Sequence, residues 1–248
     1  MKKILIYLSL FMTTIVLSQE LPKFKIMTEN YPPFNMQVND KTSGISVDVF
    51  EEILKRVNSK QKKSDIELIS WSRAYNLIQK KKNTILFSMT RTNEREELFK
   101  WVGPIAYTVS GLIAKKDKNI KISSLADLKK YKVGAVLNDI GEQILLNENV
   151  SKQNIDTTSG SNALIKSIRK LEANRIDMFS YGVEVAFWEM KSSNIDISKY
   201  ENVFNIKKLG LYLAFEKNTP DWIIKKFQDS LDEIKEDGTY ENILKNYR

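Results

Sequence analysis

Short runs of apolar and β-branched residues alternate along this chain with segments in which apolar residues recur every three or four positions. The short runs predict β-strands, and the three- to four-residue spacing predicts amphipathic helices. The first strands are predicted over residues 24–28, 65–70 and 84–89, with a helix in each of the two intervals between them. The order strand, helix, strand, helix, strand is typical of an α/β fold.

The alternation continues through the second half of the chain. Further strands are predicted over residues 109–115, 132–137 and 210–215, and helices over 159–173 and from Pro220 to Asp237. Gly238 is predicted to end the last of these helices in a left-handed conformation, which costs glycine nothing.

Polar groups follow the third strand directly. Thr90, Thr92 and Arg95 lie within six positions of one another after its apolar residues. Open α/β sheets bind ligands beyond the carboxyl ends of their strands, and a planar guanidinium can hold a carboxylate through two parallel hydrogen bonds. The alternative is that Arg95 only pairs with a neighbouring glutamate on an exposed turn, as many surface arginines do.

Aromatic residues follow the first two strands. Two prolines hold the loop over residues 29–34 extended, and the loop presents Tyr31 and Phe34. We predict that Phe34 packs in the core and that Tyr31 is available to a ligand. Trp71 follows the second strand, where it is either a ligand contact or an ordinary core residue, and Ser72 is predicted to cap the next helix.

The composition narrows the possible chemistry. The chain of 248 residues has no cysteine and no histidine, which excludes disulfides, the usual zinc sites and Ser-His or Cys-His nucleophile pairs. We predict no cofactor and no metal site. The net charge of +8 comes from lysines in short scattered runs, without the aromatic platforms of a nucleic-acid site, so we predict no nucleic-acid partner.

The N-terminus predicts export. Lys2 and Lys3 precede an apolar stretch over residues 4–17, and Val16 and Ser18 fit the small-residue pattern of a cleavage site. We predict that residues 1–18 are a signal peptide and that the mature chain begins at Gln19 in the periplasm, or in the medium if the cell has no outer membrane. An uncleaved anchor is the alternative, and the lack of cysteine excludes a lipoprotein.

Several segments together resemble the periplasmic solute-binding proteins of family 3, the receptors of polar amino-acid ABC importers. The matching segments are Tyr31-Pro32-Pro33-Phe34, Thr90 to Arg95 followed by Phe99 to Ile105, Arg175-Ile176-Asp177, and Asp237-Gly238-Thr239-Tyr240. The resemblance runs from about residue 23 to residue 247, and it implies a short helix over residues 122–128. It implies a two-lobe α/β fold of the periplasmic-binding-protein type II class, with a ligand cleft between the lobes.

The resemblance also implies the division of the chain. Residues 19–110 plus 208–248 would form lobe 1, and residues 111–207 would form lobe 2. Two crossing segments, near Tyr107–Gly111 and Lys207–Leu211, would form the hinge.

Seven residues are implied as ligand contacts: Tyr31, Trp71, Thr90, Arg95, Asp139, Tyr181 and Glu184. Arg95 and Thr90 would hold the anionic end of the ligand, and Tyr31 and Trp71 would enclose its body. Asp139 precedes a predicted helix, so it could cap that helix or meet a ligand cation. Both roles are open.

One position departs from the family pattern. Amino-acid receptors of this family place an aspartate five residues after the strand aspartate, here Asp177, to bind the α-ammonium group of the ligand. This chain has Gly182 at that position. Glu184 could substitute or could equally be an exposed residue of a first helical turn, and Tyr181 could fill part of the gap.

The predicted function is an extracytoplasmic receptor, a monomer, that captures a small polar carboxylate-bearing solute, an amino acid or a related compound, for a membrane ABC permease. One alternative is a sensory protein that docks on a membrane receptor. The other is a dehydratase-like enzyme on the same fold, with Glu184 or Asp139 as its acid. We expect no enzymatic activity.

Overall fold

The computed structural model of the chain describes residues 20–247. The predicted signal peptide, residues 1–18, and the predicted cleavage position lie outside the described residues. Among residues 20–247, no helix combines the length and the apolar character needed to cross a membrane.

The described chain folds into ten strands and eight α-helices, joined by loops and short 3₁₀ turns. The strands are β1 (Lys25–Thr28), β2 (Met36–Val38), β3 (Lys41–Ser43), β4 (Ile66–Leu68), β5 (Thr84–Thr90), β6 (Phe99–Lys115), β7 (Val133–Val136), β8 (Ile155–Thr158), β9 (Met178–Gly182) and β10 (Tyr200–Glu216). The helices are α1 (Ile45–Arg56), α2 (Trp71–Ile78), α3 (Asn93–Glu96), α4 (Ile140–Asn147), α5 (Ala163–Glu172), α6 (Val183–Ser192), α7 (Asp221–Glu236) and α8 (Thr239–Lys245).

Eight of these strands form one mixed sheet in the order β4-β1-β5-β10-β6-β9-β7-β8, and β2 and β3 form a separate hairpin. Strands β4, β1 and β5 are parallel at one end of the sheet, and β9, β7 and β8 are parallel at the other. Between these two groups, β10 pairs antiparallel with β5 and with β6. The predicted α/β class is confirmed, with two parallel groups joined by two long antiparallel strands.

The two joining strands are longer than the sequence pattern predicts. β6 and β10 each span 17 residues and pair from Lys115 with Tyr200 to Phe99 with Glu216. The segment Asn205 to Lys208 is largely exposed and polar, so no apolar alternation marks it as a strand. Both predicted crossing segments lie inside these strands, where Tyr107 is paired with Gly210.

An aromatic core lies under the first parallel group. Phe227 of α7 contacts Phe215 of β10 edge-on, with ring centroids 5.1 Å apart, and Phe24 with centroids 6.3 Å apart. Phe50 of α1 packs against Phe87 of β5 at 5.2 Å. The predicted apolar stripes of α1 and α7 therefore both face the sheet.

A second cluster of buried residues fills the other half of the sheet. It includes Leu112, Leu128, Val133, Leu145 and Met178, contributed by β6, β7, α4, β9 and the 3₁₀ helix Leu125–Lys130. Each half of the sheet thus has apolar packing of its own, while the larger cluster also extends across the middle.

Several local predictions need correction. Ser72 does not cap α2: Ser70 is the N-cap residue, because its backbone is extended and Trp71 already begins the helix. The helix predicted over residues 159–173 begins only at Ala163, and the one predicted over 122–128 is a 3₁₀ helix. Gly238 has φ +83°, which confirms the left-handed residue after α7.

Candidate ligand-binding site

Arg95 is the centre of the site. Its side chain is fully buried, with 0% exposure, although it follows a run of exposed residues. The guanidinium carbon lies 5.4 Å from the ring centre of Trp71 and 5.2 Å from that of Tyr75. These two rings project from the same side of α2 because they are four residues apart.

Backbone carbonyls hold the guanidinium in place. Nη1 donates to the Thr90 carbonyl at 3.0 Å, and Nη2 donates to the Asn138 carbonyl at 2.7 Å. The Nε atom is buried without a hydrogen-bond partner. Burial lowers the pKa of Arg95, but an arginine still remains protonated at any physiological pH. The site therefore contains a fixed positive charge that still has an unused hydrogen-bond donor, the N–H at Nε.

Asp139 faces Arg95 from the other half of the sheet. It is the N-cap residue of α4, as predicted, and is 8% exposed. Its side chain does not make the usual capping hydrogen bond. Burial raises the pKa of Asp139, whereas Arg95 and the nearby backbone amides of Ile140 and Gly141 lower it.

Tyr31 and Tyr181 meet between the two halves. Their ring centroids are 5.5 Å apart in an edge-on arrangement, and Tyr31 also stacks on Phe34 at 5.7 Å. Both tyrosines and Phe34 are buried. The predicted core position of Phe34 is confirmed, and Tyr31 lies directly on it.

Gly182 is required by the position of Tyr31. A Cβ atom at Gly182 would lie 2.3 Å from the Tyr31 Oη atom and 3.2 Å from the Thr108 Oγ1 atom. The first distance is far below any contact that a real side chain makes. The phenol of Tyr31 thus occupies the space that a side chain at residue 182 would need.

Glu184 is not brought to Arg95. It is exposed in the first turn of α6. One of its carboxylate oxygens accepts hydrogen bonds from Thr108 Oγ1 at 3.2 Å and from the Val109 amide at 3.4 Å. Its hydrogen-bond partners therefore belong to the crossing strand β6. Burial raises the pKa of Tyr31, one of the other six predicted residues, and the charge of Glu184 raises it further.

The sequence reasoning missed Glu29. This residue directly follows β1, and burial raises its pKa well above the ordinary value. The charge of Asp139 raises the pKa of Glu29 further, and Arg95 lowers it. Trp71 and Thr90 were selected because a functional side chain follows a predicted strand. The same criterion applies to Glu29.

A cavity of about 280 Å³ adjoins this group of residues. Glu29 and Tyr181 line it, together with residues 68–70 at the end of β4 and residues 160–164 before α5. Both halves of the sheet thus contribute walls. The volume is close to the lower end of the range typical of small-molecule sites, about 300 to 1,000 Å³. Residues 160–164 carry no motif, and the sequence analysis did not single them out.

Comparison with known proteins identifies the class. The family model of bacterial extracellular solute-binding proteins, family 3, matches residues 25–248. The chain therefore belongs to this family and is an extracellular solute-binding protein.

Two relatives are receptors for small solutes by name. A probable amino-acid-binding protein of Bacillus subtilis (strain 168) is 27% identical over 217 residues, which cover 87% of this chain and 79% of that protein. A probable histidine-binding protein of Campylobacter jejuni is 28% identical over 225 residues, which cover 88% of this chain and 81% of that protein.

A solved structure agrees with the fold. The structure of an ancestral arginine-binding protein bound to arginine superposes with a TM-score of 0.74 at 23% identity, over 90% of this chain and 96% of that one. The predicted family and the two-lobe periplasmic-binding-protein fold are confirmed. The lobe boundaries and the individual ligand contacts remain predictions.

Proposed function

We propose that the protein captures a small polar solute of the amino-acid class between its two lobes and presents it to a membrane ABC permease. Lobe 1 comprises residues 19–110 and 208–248, and lobe 2 comprises residues 111–207. The names of the relatives support this class of ligand, and the contents of the cleft support it independently.

The buried guanidinium of Arg95 carries the proposal. Two of its five N–H groups donate to backbone carbonyls, and the hydroxyl of Tyr75 accepts a side-chain hydrogen bond from the guanidinium. The N–H at Nε has no partner. A buried donor without a partner is costly, so the arrangement favours a ligand that supplies an acceptor, and a carboxylate matches a guanidinium best.

Contacts between the two proposed lobes support a role of the ligand in closure. Arg95 of lobe 1 already donates to Asn138 of lobe 2, and Asn147 Nδ2 of lobe 2 donates to Glu94 Oε1 of lobe 1 at 2.8 Å. A solute that contacts both Arg95 and Asp139 stabilises only the closed arrangement, and it therefore shifts the population of conformations towards that state. The closed form is the one the permease would recognise.

The proposal includes export and a monomeric receptor. Residues 1–18 would direct the chain to the periplasm and would be removed there. A monomer is sufficient because both walls of the cleft come from one chain.

Binding rather than catalysis is the better reading of the acidic residues. Glu184 is exposed and accepts hydrogen bonds from β6, and Asp139 lies beside a fixed positive charge. Neither arrangement resembles a free general acid poised over a substrate. Steady conversion of a bound solute into a product would overturn this part of the proposal.

A thermal-shift screen tests the function. The mature chain is unfolded and refolded to remove any bound solute, and is then heated with single amino acids, organic acids, small peptides and sugars. A ligand at about 100 times its dissociation constant adds roughly 2.7 kcal/mol to the free energy of unfolding. We expect amino acids to give the largest increases in melting temperature. A response to sugars alone, or to no compound of the panel, would contradict the proposal.

A further inference from the structure

We propose that Thr92, Glu94, Gln143 and Asn147 form a latch outside the ligand cavity, and that this latch sets how tightly the protein holds every solute it accepts. The latch acts on the equilibrium between the open and closed arrangements of the two lobes, and its residues do not touch the solute. The inference rests on the proposed function, because it assumes the two lobes and a solute between them.

The first step is the geometry of the contact between α3 and α4. Asn147 Nδ2 donates to Glu94 Oε1 at 2.8 Å, and Thr92 Oγ1 donates to Gln143 Oε1 at 3.3 Å. Gln143 and Asn147 are four residues apart on α4, so their side chains lie on the same side of that helix. Thr92 is the N-cap residue of α3, and Glu94 lies in its first turn. The two hydrogen bonds therefore join one side of α4 to the start of α3.

The second step is the separation of the latch from the ligand. Among the described residues, those that line the cavity of about 280 Å³ do not include any of the four latch residues. Glu94 and Asn147 are exposed, whereas Arg95, the next residue along α3, is fully buried. A solute of any shape therefore meets the same latch. A change in the latch should alter the affinity for all solutes by the same factor, since it alters only the fraction of protein that is closed.

The third step is the charge of the latch. Hydrogen bonds from its own backbone amide and from Asn147 lower the pKa of Glu94, so this carboxylate is ionised at neutral pH. The bond from the Asn147 amide to an ionised carboxylate is charge-assisted and is stronger than a bond between neutral groups. Because both side chains are exposed, water screens their interaction, and we expect the pair to change the closing equilibrium by about 2- to 5-fold.

The fourth step is the link between the latch and the ligand site. Because α3 has only four residues, Glu94 and Arg95 share a single helical turn. Nη2 of Arg95 donates to the Asn138 carbonyl at 2.7 Å, and Glu142 Oε2 holds this turn before α4 by accepting from the Asn138 amide at 2.6 Å. The short helix is thus held from its buried side and from its exposed side. A solute that fixes Arg95 also fixes Glu94 opposite α4, so the solute and the latch favour the same closed arrangement.

Two opposite changes at Asn147 test the inference. Asn147→Lys places a cation opposite the Glu94 carboxylate and should strengthen binding by about 2- to 5-fold, whereas Asn147→Asp places a like charge there and should weaken it by a similar factor. Calorimetric titration with L-glutamine, L-arginine and L-alanine measures these factors, which should be equal for every amino acid that binds to the wild-type protein. Asn242→Lys and Asn242→Asp are the controls, because Asn242 is exposed on α8 and accepts a hydrogen bond from Lys245 of the same helix. They should leave the affinities unchanged.

The equilibrium between the open and closed arrangements is measured directly in the refolded protein before any solute is added. The chain has no cysteine, so Lys62→Cys and Lys166→Cys place one fluorescent label at an exposed position of each proposed lobe. Single-molecule energy transfer between the labels should show a larger closed population with Asn147→Lys and a smaller one with Asn147→Asp. Glu94→Lys combined with Asn147→Asp reverses the two charges and should return the ratio of closed to open protein to within about 2-fold of the wild-type ratio. A purely structural role of either residue would not give this recovery.

The outcomes are distinguishable. Opposite shifts of the closed population and of all affinities for the two Asn147 variants, with the Asn242 variants unchanged, support the inference. If the Asn147 variants leave the closed population unchanged, or alter the affinity for one amino acid only, the inference fails and the proposed function stands. If no amino acid binds to the wild-type protein, the proposed function fails, and the inference fails with it.

Discussion

Two aromatic clusters of this protein have similar burial and very different chemistry. The aromatic core, formed by Phe24, Phe50, Phe215 and Phe227, contains only apolar rings in edge-on or tilted contact. The cleft cluster is formed by Tyr31, Trp71, Tyr75 and Tyr181. Trp71 and Tyr75 lie against the charged side chain of Arg95. Tyr31 and Tyr181 contact each other near Asp139.

The difference lies in the polar atoms. In the cleft cluster, Trp71 Nε1 and Arg95 Nε are both buried without a partner, whereas the phenylalanine core has no polar side-chain atom to satisfy. Burial of apolar surface stabilises the core, while the cleft keeps unsatisfied donors at a cost in stability. We infer that the first cluster serves the fold and the second serves the ligand.

The largest expected effect is a loss of stability in the aromatic core without a loss of ligand affinity. Phe227→Ala should lower the free energy of unfolding by about 3 to 5 kcal/mol, because it leaves a cavity where a fully buried ring contacted three others. Urea denaturation measures this loss, and calorimetry at low temperature should find the affinity of the folded fraction unchanged. Phe227→Leu, which retains most of the apolar volume, should cost clearly less. A loss of affinity with little loss of stability would contradict the division of roles.

The next largest effect is a loss of stability at the contact between Gly182 and Tyr31. Gly182→Ala should lower the free energy of unfolding by about 1 to 3 kcal/mol, because the new methyl group overlaps the Tyr31 phenol. Tyr31→Phe removes the Oη atom in question, so the alanine should cost less in that background. Urea denaturation of the four proteins of this cycle gives the coupling. If the losses in the free energy of unfolding of the two single variants simply add, the Tyr31 hydroxyl does not exclude a side chain at residue 182.

A smaller effect is expected at the ring over Arg95. Trp71→Phe should weaken ligand binding by roughly 1 kcal/mol, since tryptophan is the strongest cation–π partner and phenylalanine the weaker one. Trp101→Phe is the matched control, because Trp101 lies 5.8 Å from the other arginine of this stretch, Arg91. Calorimetry should show a loss for the first variant only. Equal losses of affinity for both variants would contradict the view that Arg95, and not Arg91, serves the ligand.

The smallest effect is expected for Glu184→Gln. Its two hydrogen bonds to β6 lie at an exposed position, so we expect a change in the free energy of unfolding below about 1 kcal/mol and a change in affinity below about 3-fold. Thermal denaturation and calorimetry measure the two quantities. A loss of affinity above about 10-fold would place Glu184 among the ligand contacts after all.

The residues of the aromatic core were the easiest to predict. Phe227, Leu231 and Ile234 recur at helical spacing along α7, and this periodicity depends on burial alone. The strands β6 and β10 were predicted only in part, since the exposed polar segment of β10 and the Gly103–Pro104 step of β6 interrupt the apolar pattern there. Pairing with a neighbouring strand, which no local pattern records, extends them.

The site was predictable where a side chain follows a strand. That rule, with the family resemblance, led to Tyr31, Trp71, Thr90 and Arg95, and it would also have led to Glu29. It could not place Glu184, because the direction of a side chain in a first helical turn depends on how the helix packs. It also could not show that Tyr31 fills the space beside Gly182, because these residues are distant in sequence and only the folded chain brings them together.

The most direct test of the central claim is a calorimetric titration of Arg95→Ala beside Arg91→Ala, with the amino acid that gives the largest thermal shift in the screen. Both arginines contact two aromatic rings, but Arg91 is exposed and pairs with Glu96, whereas Arg95 is fully buried. If Arg95 holds the ligand carboxylate, Arg95→Ala should weaken binding by about 100-fold or more, and Arg91→Ala should change it by less than about 3-fold. Wild-type affinity in a folded Arg95→Ala protein would contradict the account.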